Sequence, residues 1–149
     1  MKQITLKLDR TQQRPVVNIG RGLNALLDTG AFFPVWVDDE DVLCKDLCAV
    51  LIKKDVPFSG FGGTTLGNLY TVTLNIGDLI YPNMPILANN SIFVPFNLIL
   101  SATMFQNLIY EIDDKNHNLN INVPDDEGIV RNLIIQESNG NLHVMCGER

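Results

Sequence analysis

Asparagine, glycine and proline punctuate this chain so densely that its apolar runs are all short. Sixteen Asn, eleven Gly and seven Pro are spread over 149 residues and separate the hydrophobic segments from one another. That is the pattern of many short strands joined by turns. Met1 to Leu8 alternates, with Ile4, Leu6 and Leu8 on one face, and Leu69 to Ile76 does the same through Tyr70, Val72, Leu74 and Ile76. Further strand candidates are Val16–Ile19, Leu23–Leu27, Ile86–Ala88, Leu98–Leu100, Leu108–Ile112 and Leu119–Val123.

Two segments look helical. Asp39–Lys54 places Leu43, Leu47, Val50 and Leu51 at i, i+4, i+7 and i+8, with acids at its front and Lys53 and Lys54 at its back, as the helix dipole prefers. Ala102–Asn107 is a short helical turn at most, and Asp114–Asn118 is a polar turn. After Pro124 the composition changes: a polar break at Asp125–Gly128 precedes Asn132–Gln136 and Leu142–Cys146, which flank an Asn-Gly pair. Asn-Gly between apolar runs is a strong hairpin signal. The expected organisation is a β-rich core over residues 1–124 and a C-terminal β-hairpin over residues 125–149.

Composition narrows the functional classes. Apolar residues make up 46% and charged residues 19%, with a net charge of −6, which suits a single mildly acidic globular domain with its own core. No Lys/Arg cluster offers the basic face that nucleic acid requires, so no nucleic-acid partner is expected. The longest apolar stretch, Ser91–Phe105, is broken by Pro95 and Asn97, too early for a membrane span. The first ten residues lack a signal-peptide hydrophobic run, so a cytoplasmic location is expected. Three cysteines give no disulfide framework.

The informative segment is Leu23-Asn24-Ala25-Leu26-Leu27-Asp28-Thr29-Gly30-Ala31. A carboxylate ending an apolar strand is costly to bury unless something compensates it. Gly30 permits a tight turn beneath it, and the Thr29 hydroxyl can bond across a neighbouring loop. Downstream lie the glycine-rich Phe58–Gly67, then Asn97–Phe105 followed by Leu108–Asp113. In this order the segments resemble the retropepsin-like (retroviral-type) aspartic peptidases, over roughly Pro15 to Val123. Phe58–Gly67 stands where that family has its flap, and Asn97–Phe105 resembles its second motif, with Ser101 where the family usually has Gly.

The resemblance implies an all-β, closed barrel-like fold with one main helix, and an aspartic endopeptidase activity. Peptide hydrolysis needs a base to activate water and an acid to protonate the leaving side. In aspartic peptidases generally, two carboxylates about 3 Å apart share one proton and supply both roles. Asp-Thr-Gly occurs once in this chain, so the second Asp28 would come from another copy across a two-fold axis. The expected catalytic residues are Asp28, Thr29, which braces the two loops, and Gly30. The expected peptide-binding residues are Ala31, Phe58, Gly60, Phe61, Gly62 and Gly63, the glycines forming a mobile hairpin over the substrate. The partners implied are a peptide or protein substrate and a second copy, the terminal hairpin Asn132–Cys146 being the candidate interface. No metal or organic cofactor is needed.

Other readings compete for the same residues. Gly60–Gly63 lacks the Lys-Ser/Thr of a phosphate loop. Cys44, Cys48, His143 and Cys146 could be imagined around zinc, but the spacing is not that of a knuckle, and Cys44 and Cys48 read as small buried hydrophobes. His117 lies in a polar turn. Asp38–Asp41 and Asp125–Glu127 lack the ligand alternation of a calcium loop. Phe32, Phe33 and Trp36 line a pocket or belong to the core. The functional alternative is a non-catalytic peptide-binding or dimerisation module of the same fold; a small-ligand β-barrel is a third.

Overall fold

In the computed structural model the chain is mostly β. The structure describes residues 1–28, 30–60, 63–90, 94–138 and 141–146, with the backbone alone at 59, 60, 63, 137, 138 and 141–146. Chain order runs β1 (Lys2–Lys7), β2 (Val16–Gly20), β3 (Leu23–Asp28), β4 (Val35–Trp36), α1 (Glu40–Lys45), β5 (Val50–Gly60), β6 (Gly63–Ile76) and β7 (Leu79–Ala88). It continues with β8 (Leu98–Ser101), a 3-10 turn (Ala102–Phe105), β9 (Ile109–Asp113), β10 (Asn118–Val123), β11 (Leu133–Ser138) and β12 (Asn141–Cys146).

Seven strands form one sheet in the order β2-β3-β8-β4-β7-β6-β5, and β1-β10-β9 form a second, antiparallel sheet. The large sheet is open, with β2 and β5 at its edges, which corrects the closed barrel-like expectation while keeping the all-β class. Register irregularities between Leu51 and Lys53 and between Lys53 and Val56 fall on β5. Bulges of this kind twist an edge strand away from further pairing. In the smaller sheet, β1 buries Ile4 and Leu6 and β10 buries Leu119, Ile121 and Val123, the alternation that a one-sided sheet demands. The main core collects Trp36, Leu43, Tyr81, Met84, Leu98, Leu100 and their neighbours, all nearly or fully buried. Among the described residues no helix is long and apolar enough to cross a membrane.

The helix is much shorter than the periodicity of Asp39–Lys54 suggests. It starts as expected, with the Asp39 side chain accepting the Asp41 N–H at 2.9 Å and acids in the first turn. It stops at Lys45, and Cys48 takes a left-handed φ of 56°, which no helix continues through. Val50 to Lys54 then belong to the edge strand β5, where Val50, Leu51 and Ile52 are exposed. Cys44 and Cys48 are also exposed free thiols, a correction to their reading as buried small hydrophobes. Cys44 lies in the last turn of the truncated helix and Cys48 in the loop that follows.

The helix is fixed to the sheet by polar contacts. Tyr70 on β6 donates its hydroxyl to Glu40 Oε2 at 2.7 Å, and Asn68 Nδ2 donates to both Glu40 oxygens at 3.1 and 3.3 Å. Burial first, then the Glu40 carboxylate and the neighbouring Cys44, push the Tyr70 phenol well above its ordinary value of 10.0. A phenol whose folded-state value is raised keeps its proton in the native state where the unfolded chain would lose it. Its contribution is therefore complete below pH 10 and is lost as the pH rises towards the folded-state value. Urea unfolding of wild type and Tyr70→Phe should show wild type ahead at pH 8 and this lead shrinking at pH 11. An unchanged difference would refute the assignment.

The C-terminal segment is tied to the core before its hairpin begins. Ile80 N–H donates to Ile129 C=O at 2.8 Å and Arg131 N–H donates to Ile80 C=O at 2.7 Å, a parallel bridge onto β7. The Arg131 side chain is 4% exposed. Its Nε donates to Met104 C=O at 3.2 Å, Nη2 donates to Gln106 C=O, and Nη1 lies 3.6 Å from Glu127 Oε2. Beyond it, β11 runs beside β7, and β12 beside β5 and the 3-10 turn. A guanidinium spreads its donors over three nitrogens and so reaches both carbonyls and the Glu127 carboxylate, where an ammonium offers a single donor atom. Arg131→Met should cost roughly 2–4 kcal/mol in urea unfolding, with Arg131→Lys recovering only part. A loss below about 0.5 kcal/mol, the ordinary surface range, would show the cluster to be incidental.

Candidate functional site

Asp28 ends β3, and its position follows from how that strand is held. β2 turns back through Gly20–Gly22 and pairs antiparallel with β3, Val16 opposite Leu26. On its other side β3 runs parallel to β8, with Leu26 opposite Ile99, Leu27 opposite Leu100 and Asp28 opposite Ser101. β4 then pairs antiparallel with β8 and parallel with β7. Buried apolar residues cover the strands on both faces. Ala25 and Leu27 join the main core, while Val16, Leu26, Val37, Phe96 and Ile99 form a smaller cluster with Ala31, Val35 and Val94 packed against it.

The carboxylate itself is half-buried at the strand end. Gly30 N–H donates to Asp28 Oδ1 at 2.9 Å, and Ala31 N–H donates to Asp28 C=O at 3.2 Å, closing a tight turn. Among the described residues no second donor reaches the carboxylate. A Cβ at Gly30 would stand 3.4 Å from Asp28 Oδ1, an ordinary contact, and the residue's φ lies outside the left-handed region, so neither space nor backbone conformation demands glycine here. Thr29, Phe61 and Gly62 lie outside the described residues, as do the side chains of His143 and Cys146.

Ser101 occupies the position level with Asp28. It is completely buried, and its Oγ and Thr103 Oγ1 are 2.9 Å apart in a hydrogen bond. With φ −84° and ψ 152° its backbone is extended, a conformation any residue adopts. Its Cβ therefore creates no backbone strain, and its hydroxyl has a partner. Ser101→Gly should cost roughly 1–2 kcal/mol through the lost hydrogen bond and a freer unfolded chain. If the glycine variant proves more stable in urea unfolding, crowding by the serine is the dominant effect and this assignment fails.

Asn97, which the sequence marks as a break in the apolar stretch and the start of the Asn97–Phe105 segment, organises the approach to the site. Asn24 N–H donates to its Oδ1 at 2.8 Å, its own N–H donates to Asn24 C=O at 2.8 Å, and its Nδ2 donates to Asp38 Oδ2 at 2.8 Å. Its carbonyl accepts from Val37 and Asp38 N–H. It thus joins the start of β3 to the end of β4.

The glycine-rich segment is a long antiparallel hairpin of β5 and β6, with Phe58 opposite Thr65 and Gly60 opposite Gly63. Phe58 faces inward, 6% exposed within the main core, so it anchors the hairpin and presents little surface. Trp36 and Phe33 are core residues, Trp36 donating Nε1–H to Asp39 C=O at 2.9 Å. Phe32, four residues after Asp28, is 67% exposed. No group of three or more His, Cys, Asp or Glu side chains among the described residues is placed to hold a metal ion. No protein-family model matches the chain, and no curated protein is similar enough to count as a relative.

Proposed function

We propose that the chain is an aspartic endopeptidase that works as a homodimer, with one Asp28 from each copy. The observation that carries the reading is the half-buried Asp28 carboxylate at the end of β3. It is held by the Gly30 N–H and set level with Ser101 by the parallel pairing of β3 and β8. A single carboxylate can be a base or an acid but cannot serve both ends of one scissile bond at once. A two-fold axis through the Asp28 turns would supply the second one, and the shared proton would let one carboxylate activate water while the other protonates the leaving amine.

The remaining features fit these roles. The β5–β6 hairpin would lie across an extended peptide, its backbone groups pairing with the substrate much as an added strand does. Exclusion of water beneath it would strengthen the electrostatics of the dyad. Ala31 and the exposed Phe32 would meet apolar substrate side chains, and Thr29 would brace one Asp28 turn against its partner. The exposed Ile134 and Ile135, on opposite faces of β11, would each offer an apolar side chain to the second copy.

Cleavage of a mixed peptide library between acid and neutral pH tests the proposal. Wild type should cleave, and Asp28→Asn should lose on the order of 10²-fold or more of the rate, the usual size of a general acid–base contribution. Equal cleavage by the two proteins, or none by either across the whole pH range, would overturn it and leave the peptide-binding module as the better reading.

A further inference from the structure

The β5–β6 hairpin extends beyond the strand that supports it. β6 pairs with β7 only from Asn68 onward, Asn68 lying opposite Ala88, the last residue of β7. From Gly67 back to Gly63, β6 pairs with β5 alone. A two-stranded arm is marginal by itself in water, so its seating depends on whatever contacts hold its base. Two such contacts are apolar, the buried Val56 and Phe58. Gly67 lets Phe58 in: a Cβ there would lie 2.8 Å from the Phe58 ring and 3.0 Å from Ala88 C=O.

Among the described residues a polar contact comes from Asn89, immediately after β7. Its Nδ2 donates to Thr65 Oγ1 at 3.0 Å and to Leu66 C=O at 3.2 Å, both on the unsupported part of β6. Its own N–H donates to Trp36 C=O at 2.8 Å, at the end of β4. Trp36 is fully buried and fixed through its indole to Asp39, and the preceding Leu87 N–H donates to Pro34 C=O at 3.1 Å. One residue therefore bridges the arm to the strand that leaves the Asp28 turn. A carboxamide suits this place because both of its N–H groups can donate, one to a hydroxyl and one to a carbonyl.

We infer that Asn89 is a positioning residue that seats the β5–β6 arm on the end of β4 and so sets how readily the arm opens to a peptide. The seating is a property of the free chain; its consequence for substrate rests on the peptidase reading. Asn89→Ala removes both donors, whereas Asn89→Asp keeps the shape and an acceptor for Thr65 but cannot donate to Leu66.

Amide hydrogen exchange on the full chain without substrate reads the seating directly. In Asn89→Ala the amides of residues 64–66 and of Phe58 and Ser59 opposite them should exchange roughly tenfold faster, while those of β10 keep wild-type rates. Asn89→Asp should behave like the alanine variant. Unchanged exchange in the arm, or equal acceleration throughout the molecule, would overturn the inference. On peptide substrate, the same variants should raise KM several-fold, with kcat held within about twofold. A fall in kcat at constant KM would contradict the opening role. Faster exchange in the arm of the variants, together with a wild-type chain that cleaves nothing, would retain the seating role and remove the peptidase reading. Normal exchange in the variants of an active enzyme would do the reverse.

Discussion

Everything around the candidate site depends on the parallel pairing of β3 with β8. Parallel strands cannot be joined by a tight turn, so the chain between them must travel away and come back. Here that excursion contains α1 and the strands β4, β5, β6 and β7, which is to say all of the large sheet except β2 and the pair itself. The pairing sets Asp28 level with Ser101 and brings together residues more than seventy positions apart. Asn97 locks its far end by exchanging hydrogen bonds with Asn24, while the fully buried Leu98 and Leu100 and the nearly buried Ile99 hold its middle by packing on both faces. The strand that carries the carboxylate is thus paired with β8 up to its last residue.

Much of this was legible from residue patterns where one face of a strand is buried. Ile4 and Leu6, or Leu119, Ile121 and Val123, alternate because the smaller sheet has a wet side. The Asn-Gly pair between Leu133–Ser138 and Asn141–Cys146 marked the terminal hairpin for the same reason of turn chemistry. β5 was illegible because it is an irregular edge strand. Its bulges disturb the two-residue period, Asp55 takes a φ of 56°, and its exposed Val50 and Leu51 happened to continue the spacing of Leu43 and Leu47. Period alone could not tell this coincidence from an amphipathic helix, whereas the left-handed Cys48 does.

The site shows the same division. Asp28 and its glycine stand out locally, since a carboxylate at the end of an apolar run needs an explanation. Asn89, Asn97 and Arg131 do not, because their importance lies in partners that are distant along the chain. An asparagine reads as a turn former in sequence, yet both of these act as cross-strand connectors. Nothing in the sequence around Arg131 marks it, but it is buried against the carbonyls of Met104 and Gln106 at the 3-10 turn that follows Ser101. The C-terminal segment is thus anchored to the same structural unit that carries the partner of Asp28, which makes it more than an appendage.

The central claim is that catalysis requires an Asp28 from each of two copies. Refolding wild type together with an equal amount of Asp28→Asn tests it directly, because subunits then assort at random. The account predicts about a quarter of the activity of the same total amount of wild type, as only pairs with two aspartates are complete. About half the activity, proportional to the wild-type chains present, would mean that each copy works with its own Asp28 alone and would contradict it.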